Sequence, residues 1–212
     1  GVQTCALPIS KSITKPSLTN TVKKSKVALR DDANLFIDNC HLNNIPCIIF
    51  SAGCGDIIDL MLKHKEPMCW HEENMVIVSN MLIYEEETEI LTAWTQPKIH
   101  SLNKNSALDR LKSRAADKSV PKSLAEKSEQ EFEKLSKLVE NKRNVITMGD
   151  HLRDPKMKDG MPNIENTFDI GFLNYGIDKN LESYLDAFDM VLVDDQSFDV
   201  VNEIFEFLVS EE

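Results

Sequence analysis

Apolar positions follow two rhythms along the chain, short unbroken runs and stripes at helical spacing. The runs fall at residues 45–50 (IPCIIF), 75–79 (MVIVS), 144–148 (NVITM), 170–173 (IGFL) and 190–193 (MVLV). Short apolar runs rich in isoleucine and valine predict strands buried on both faces of a parallel sheet. Pro46 stands at the start of the first run, where a strand tolerates it. The helical stripes begin with Val22, Leu29, Leu35, Phe36 and Ile37, continuing to about Asn43. Others are predicted over 57–65 and 106–114, with Phe132, Leu135 and Val139 on the face of a third. Phe198, Val201, Ile204, Phe205 and Leu208 mark a final amphipathic helix. Residues 81–84 and 90–94 flank an acidic turn at 85–89 and suggest a hairpin or flap. Strands alternating with helices argue for an open, mostly parallel α/β sheet.

Two segments break the pattern. Residues 113–131 are rich in lysine, serine and glutamate with Pro121 inside, which predicts an exposed insertion. Residues 10–17 are polar, carry Pro16 and show no period, so they are expected to be unstructured. Before them stands GVQTCALPI, which lacks a starting Met, a basic region and a long apolar core. It reads as a translated sequencing adaptor rather than a leader. Residues 1–17 are therefore expected to be non-native or disordered, and 18–212 a partial core domain whose natural upstream sequence is missing.

Charge narrows the partners. The net charge of -11 leaves no basic surplus for a nucleic-acid polymer. An anionic small substrate would need help from a metal, a lysine or a helix N-terminus. No apolar stretch reaches membrane-spanning length, so no membrane partner is expected. Cysteines at 5, 40, 47, 54 and 69 form no CxxC pair. They read as reduced thiols of a cytoplasmic protein.

In open α/β sheets, ligands bind beyond the carboxyl ends of the strands. Two such ends here are polar and punctuated by glycine. Ser51-Ala52-Gly53 reads as a tight loop entering a helix, whose free N–H groups suit phosphate. The same Ser51 would equally serve as a plain helix cap. Asp150 and Asp154 follow Gly149; one carboxylate suits Mg²⁺ while the other orients a lysine or water. Both also suit an ordinary helix start. Lys104 precedes a helix, where it would neutralise phosphate charge. Weaker candidates are a zinc grouping of Cys69, His64 and His71, whose spacing fits no standard pattern, and Cys54, a packing residue beside the loop. WHEENM lacks the second histidine of a zinc protease motif.

Taken in order, a strand–Ser loop, a Lys before a helix and a strand–GD…D loop resemble motifs two to four of haloacid-dehalogenase-like (HAD) phosphatases. More narrowly, IIFSAGCGD, VSNMLIY, HSLNKN, GDHLRDPKMKDG, IGFLN and YLDAFDMVLVDDQSFDVVNEI resemble the cytosolic 5'-nucleotidase III, or pyrimidine 5'-nucleotidase, family. The similarity runs from about Leu18 to Leu208. It implies a HAD-like Rossmannoid three-layer sandwich and Mg²⁺-dependent hydrolysis of nucleoside 5'-monophosphates through an aspartyl-phosphate. It further implies Asp150 as metal ligand and Ser51, Ala52, Gly53 and Lys104 as phosphate binders. Lys104 would also hold the nucleophile, and Asp154 would support Lys104 or a water on the metal.

The resemblance breaks in two places. No DxDxT nucleophile motif occurs; Asp31-Asp32 and Asp194-Asp195 lack its spacing and a preceding strand. The fragment is therefore expected to lack the first-motif strand and most of the cap, and to be inactive by itself. The family's GDSxGD reads GDHLRD here, with His151 and Arg153 in place of serine and glycine. That change leaves a non-catalytic nucleotide-binding relative open as an alternative, and a nucleoside phosphotransferase as a third.

Overall fold

The computed structural model describes residues 12–210. Of the segment expected to be non-native or disordered, residues 1–11 lie outside the described residues. The rest is ordered: helix α1 (Lys15–Lys24) begins on a capping box. The Thr14 hydroxyl accepts from the Ser17 N–H at 3.2 Å, and Ser17 Oγ accepts from the Thr14 N–H at 2.9 Å. Pro16 sits in the first turn, where its missing N–H is no loss. The expected single helix over 22–43 is in fact α1 and α2 (Ala33–Leu42). The linker between them is pinned by Lys65 Nζ, which donates to Ser25 O at 2.6 Å and to Val27 O.

In chain order the strands are β1 (Cys47–Cys54), β2 (Met75–Asn80), β3 (Leu82–Tyr84), β4 (Leu91–Trp94), β5 (Asn144–Gly149), β6 (Asn166–Leu173) and β7 (Met190–Val193). The remaining helices are α3 (Gly55–His64), α4 (Ala107–Ala116), α5 (Lys122–Val139), α6 (Ile177–Ala187) and α7 (Asp199–Ser210). Parallel sheet comes in two pieces, β1–β2 and β5–β6–β7, while β3 and β4 form the expected antiparallel hairpin. Among the described residues β1 and β5 each keep one edge unpaired, as do β2 and β7. Cys47 and Ile49 of β1 and Ile146 and Met148 of β5 all pack against one core.

Two cores lie on opposite faces, giving the three layers of a HAD-like α/β sandwich. Met75 and Ile77 of β2 point to the core built by α2, α3 and α7; Val76 and Val78 point to that of α4 and α5. Burial of both faces is why this strand is apolar without alternation.

The segment 113–131 is not an exposed insertion. It closes α4 and opens α5, and its charged letters form the wet face of a packed helix pair. Arg114, Val120 and Ser128 are buried. Arg114 donates to Ser79 O at 2.9 Å and Ser128 Oγ at 2.7 Å, with Glu131 3.4 Å away. Burial lowers the Arg114 pKa and raises that of Glu131. Composition alone hides this, because a buried arginine reads like a surface one.

Candidate functional site

The end of β5 delivers a buried polar cluster. Asp154, at the start of a 3-10 turn (Asp154–Lys158), folds back onto the strand end and is 1% exposed. Its Oδ1 accepts from Lys104 Nζ at 2.7 Å, and its Oδ2 from the His151 N–H at 3.1 Å. Gly149 makes room for this: a Cβ there would lie 2.0 Å from Asp154 Oδ2 and 2.4 Å from Asp154 Cβ. Lys104 and Asp154, fifty residues apart in sequence, thus form an ion pair shielded from water, with side chains 13% and 2% exposed.

The loop carrying Lys104 is held at several points. The His100 N–H donates to Asn103 Oδ1 at 2.7 Å, Arg110 Nη2 to Asn103 O at 2.9 Å, and the Ser106 N–H to Asp159 O at 2.9 Å. The last bond ties the lysine loop to the end of the Asp154 turn. Such a scaffold keeps a long, flexible cation in one place at little entropic cost on binding.

The Ser51 segment differs from expectation. Residues 51–53 form no tight loop but continue β1 to Cys54, with an irregular register after Phe50. Ser51 does not cap α3, whose N-cap is Cys54; its Oγ accepts from the Gly53 N–H at 3.0 Å. Ala52 and Gly53 are exposed. Their carbonyls are taken up from behind by β2: Asn80 Nδ2 reaches Ala52 O at 2.9 Å, and Ser79 Oγ reaches Gly53 O at 3.1 Å.

Asn80 is the residue that pattern reading overlooks. Its side chain, 5% exposed, also accepts from the Ile99 N–H at 2.7 Å and donates to Ile99 O at 2.9 Å. One amide therefore joins the Ser51 segment to the stretch leading to Lys104. The available signal was a polar residue ending an otherwise apolar buried strand, since such a group must find partners.

Asp150 stands apart from the Lys104–Asp154 pair. It is exposed and lines a cleft of about 260 Å³ with Arg30, Met148, Gly149, Phe172 and Phe198. The Tyr184 hydroxyl donates to Asp150 O and fixes the loop. Burial, then the charges of Asp150 and Asp154, raise the Tyr184 pKa. No hydrogen bond or ion pair among the described residues engages the Asp150 carboxylate. A free carboxylate at a cleft fits Mg²⁺, which takes hard oxygen ligands; it supplies one position of six.

The departures from the family motif are tolerated by the backbone. His151 and Arg153 are exposed, and Arg153 has φ −103°, a conformation that needs no glycine. The other aspartate pairs serve turns: Asp195 Oδ1 accepts from Ser197 N–H and Oγ at 2.7 and 2.9 Å, and Asp31 bridges to Ser197. The zinc grouping of Cys69, His64 and His71 does not assemble; among the described residues His71 groups with His41 and Glu73 instead. Cys40, Cys47, Cys54 and Cys69 are free thiols, and burial raises the pKa of each, that of Cys47 to about 11. None is poised as a nucleophile. No helix among the described residues is long and apolar enough to cross a membrane.

Comparison with known proteins bears on this geometry. Residues 2–209 match the family model described as pyrimidine 5'-nucleotidase (UMPH-1). The chain is 32% identical over 199 residues to the 7-methylguanosine phosphate-specific 5'-nucleotidase of Gallus gallus, covering 94% of the chain and 60% of that protein. Against the Mus musculus protein of the same name it is 34% identical over 197 residues, covering 93% and 57%. The crystal structure of cytosolic 5'-nucleotidase IIIB bound to cytidine superimposes with a TM-score of 0.72 at 28% identity, covering 94% of this chain and 59% of that one. The chain thus spans 57–60% of the length of these curated relatives.

Proposed function

The chain belongs to the pyrimidine 5'-nucleotidase family, and from that premise we propose that it carries the phosphate-binding part of a site hydrolysing nucleoside 5'-monophosphates. The observation that carries the reading is the shielded Lys104–Asp154 pair seated on Gly149, one residue from the free carboxylate of Asp150. A lysine paired with a buried aspartate whose carboxylate also accepts from the His151 N–H keeps its remaining N–H groups for a phosphate oxygen. In this reading Ser51 and the exposed backbone at Ala52 and Gly53 bind the same phosphate. Asp154 holds Lys104 in place rather than reacting itself.

Mg²⁺ would be held through Asp150, and when bound it supplies positive charge against the phosphate oxygens. The attacking carboxylate would come from a DxDxT motif, which none of the 212 residues provides. Attack on phosphorus breaks the bond to the 5'-oxygen, which takes a proton from water and leaves as the nucleoside hydroxyl. Water then cleaves the aspartyl-phosphate to release phosphate and regenerate the carboxylate. Lys104 stabilises the charge that develops on the phosphoryl oxygens in both steps. Without that motif the 212-residue chain by itself would not turn over. The names of the relatives support a nucleoside 5'-monophosphate as substrate class and the cytosol as location.

The test is phosphate release by the complete protein with Mg²⁺, comparing the parent with Lys104→Ala. A loss of about a hundredfold or more is expected, the scale of removing one charge-stabilising donor. Nucleotide binding without release in the parent would establish the non-catalytic alternative. Transfer to an added nucleoside would establish a phosphotransferase.

A further inference from the structure

A second polar cluster lies at the entry of β2, the opposite end of that strand from Asn80. Asp38 and His41 stand about one turn apart on α2, and His71 and Glu73 come from the turn leading into β2. The two imidazoles stack with centroids 4.0 Å apart and planes 2° from parallel. His41 Nδ1 lies 3.1 Å from Glu73 Oε1, and His71 Nε2 lies 2.7 Å from Asp38 Oδ1. One ligand atom from each of His41, His71 and Glu73 falls within 4.8 Å of the other two. Nothing in the nucleotide site uses these groups.

From this juxtaposition we propose that His41, His71 and Glu73 form a binding site for a divalent transition-metal ion, zinc foremost, with Asp38 behind His71. Two imidazole nitrogens and a carboxylate oxygen are a three-ligand set suited to Zn²⁺, with a water as fourth ligand. The set is unlike that at Asp150: imidazole suits zinc, nickel or copper and is a poor partner for Mg²⁺. The hydrogen bond that Asp38 Oδ1 accepts from His71 Nε2 sets the orientation of the His71 ring, as a carboxylate behind a ligating histidine does.

The cluster must tighten to bind. Zn–N bonds of about 2.0–2.1 Å at a tetrahedral angle place two nitrogens roughly 3.4 Å apart. Stacked rings therefore tilt toward each other and the His41–Glu73 contact opens to admit the ion. Side chains of His41 and Glu73, 33% and 65% exposed, have room to move. The ion then clasps α2 to the start of the strand that separates the two cores, so binding stabilises the fold.

The experiment uses the 212-residue chain stripped of metal by a chelator. Zn²⁺ and Mg²⁺ are titrated separately while the melting temperature and the heat of binding are followed. Co²⁺ absorption reports the ligand type. Zn²⁺ should raise the melting temperature at concentrations where Mg²⁺ does not. His41→Gln and His71→Gln should each weaken Zn²⁺ binding by at least about tenfold, and Asp38→Asn by about tenfold or more. Glu73→Gln, on an exposed side chain, gives the same reading should a histidine variant misfold. Absence of Zn²⁺ stabilisation, affinity unchanged in these variants, or a thiolate-to-cobalt band placing the ion on a cysteine would each overturn the proposal.

Discussion

Replacing Gly149 by alanine probes how the site is built without needing turnover. The new Cβ would lie 2.0 Å from Asp154 Oδ2, 2.4 Å from its Cβ and 2.5 Å from its Cγ. No side-chain rotation clears a clash with a Cβ, so the Asp154 backbone has to shift. That movement breaks the bond to Lys104 Nζ and the one from the His151 N–H. Breaking a buried ion pair costs about 3–5 kcal/mol, and Gly149→Ala should destabilise the chain by that order in urea unfolding. A double-mutant cycle assigns the cause. Asp154→Gly deletes the three nearest clashing atoms, so in that background Gly149→Ala should cost less than about 1 kcal/mol. Equal costs in both backgrounds would refute the claim that Gly149 exists to seat Asp154.

Three further outcomes follow from the supporting residues. Asn80→Ala removes the amide that bridges Ala52, Gly53 and Ile99 and should cost about 2–3 kcal/mol by urea unfolding, through buried groups left unpaired. Arg114→Ala leaves the Ser79 carbonyl without its donor and Glu131 with only the more distant Lys127, and should cost about 3–5 kcal/mol, with Glu131→Leu in the same chain recovering part of it. Burial holds the Asp56 carboxyl above its ordinary 3.8, so the folded chain binds that proton more tightly than the unfolded one. Stability therefore falls as pH rises above the ordinary carboxylate value; Asp56→Asn, which keeps an acceptor for the Leu82 N–H, should flatten that fall in melts taken across acidic pH.

The parts legible in sequence are those where one local signal suffices. β7 runs over Met190–Val193, and the β3–β4 hairpin surrounds the acidic turn, because short apolar runs and a turn between them need no tertiary information. The meeting of Lys104 with Asp154 came from motif order, not from either residue alone. Other features depended on partners far away in sequence. α6 escaped notice although Ile177, Leu181, Tyr184 and Leu185 fall at helical spacing, and none of its residues is buried. The Ser51 segment looked like a loop because glycine and serine punctuate it, yet β2 holds it as strand through Ser79 and Asn80. The wet faces of α4 and α5 concealed Arg114, and the pairing of His41 with His71 joins residues thirty apart in sequence.

The most direct test of the nucleotide site is a Mg²⁺ titration of phosphate release by the complete protein, with Asp150→Asn measured alongside. The parent should require Mg²⁺, and Asp150→Asn should fall by at least about a hundredfold without recovery at high Mg²⁺, the loss of several kcal/mol of charge stabilisation. Release that proceeds without Mg²⁺, or that Asp150→Asn leaves at the parent rate, would contradict the placement of the metal and with it the proposed reaction.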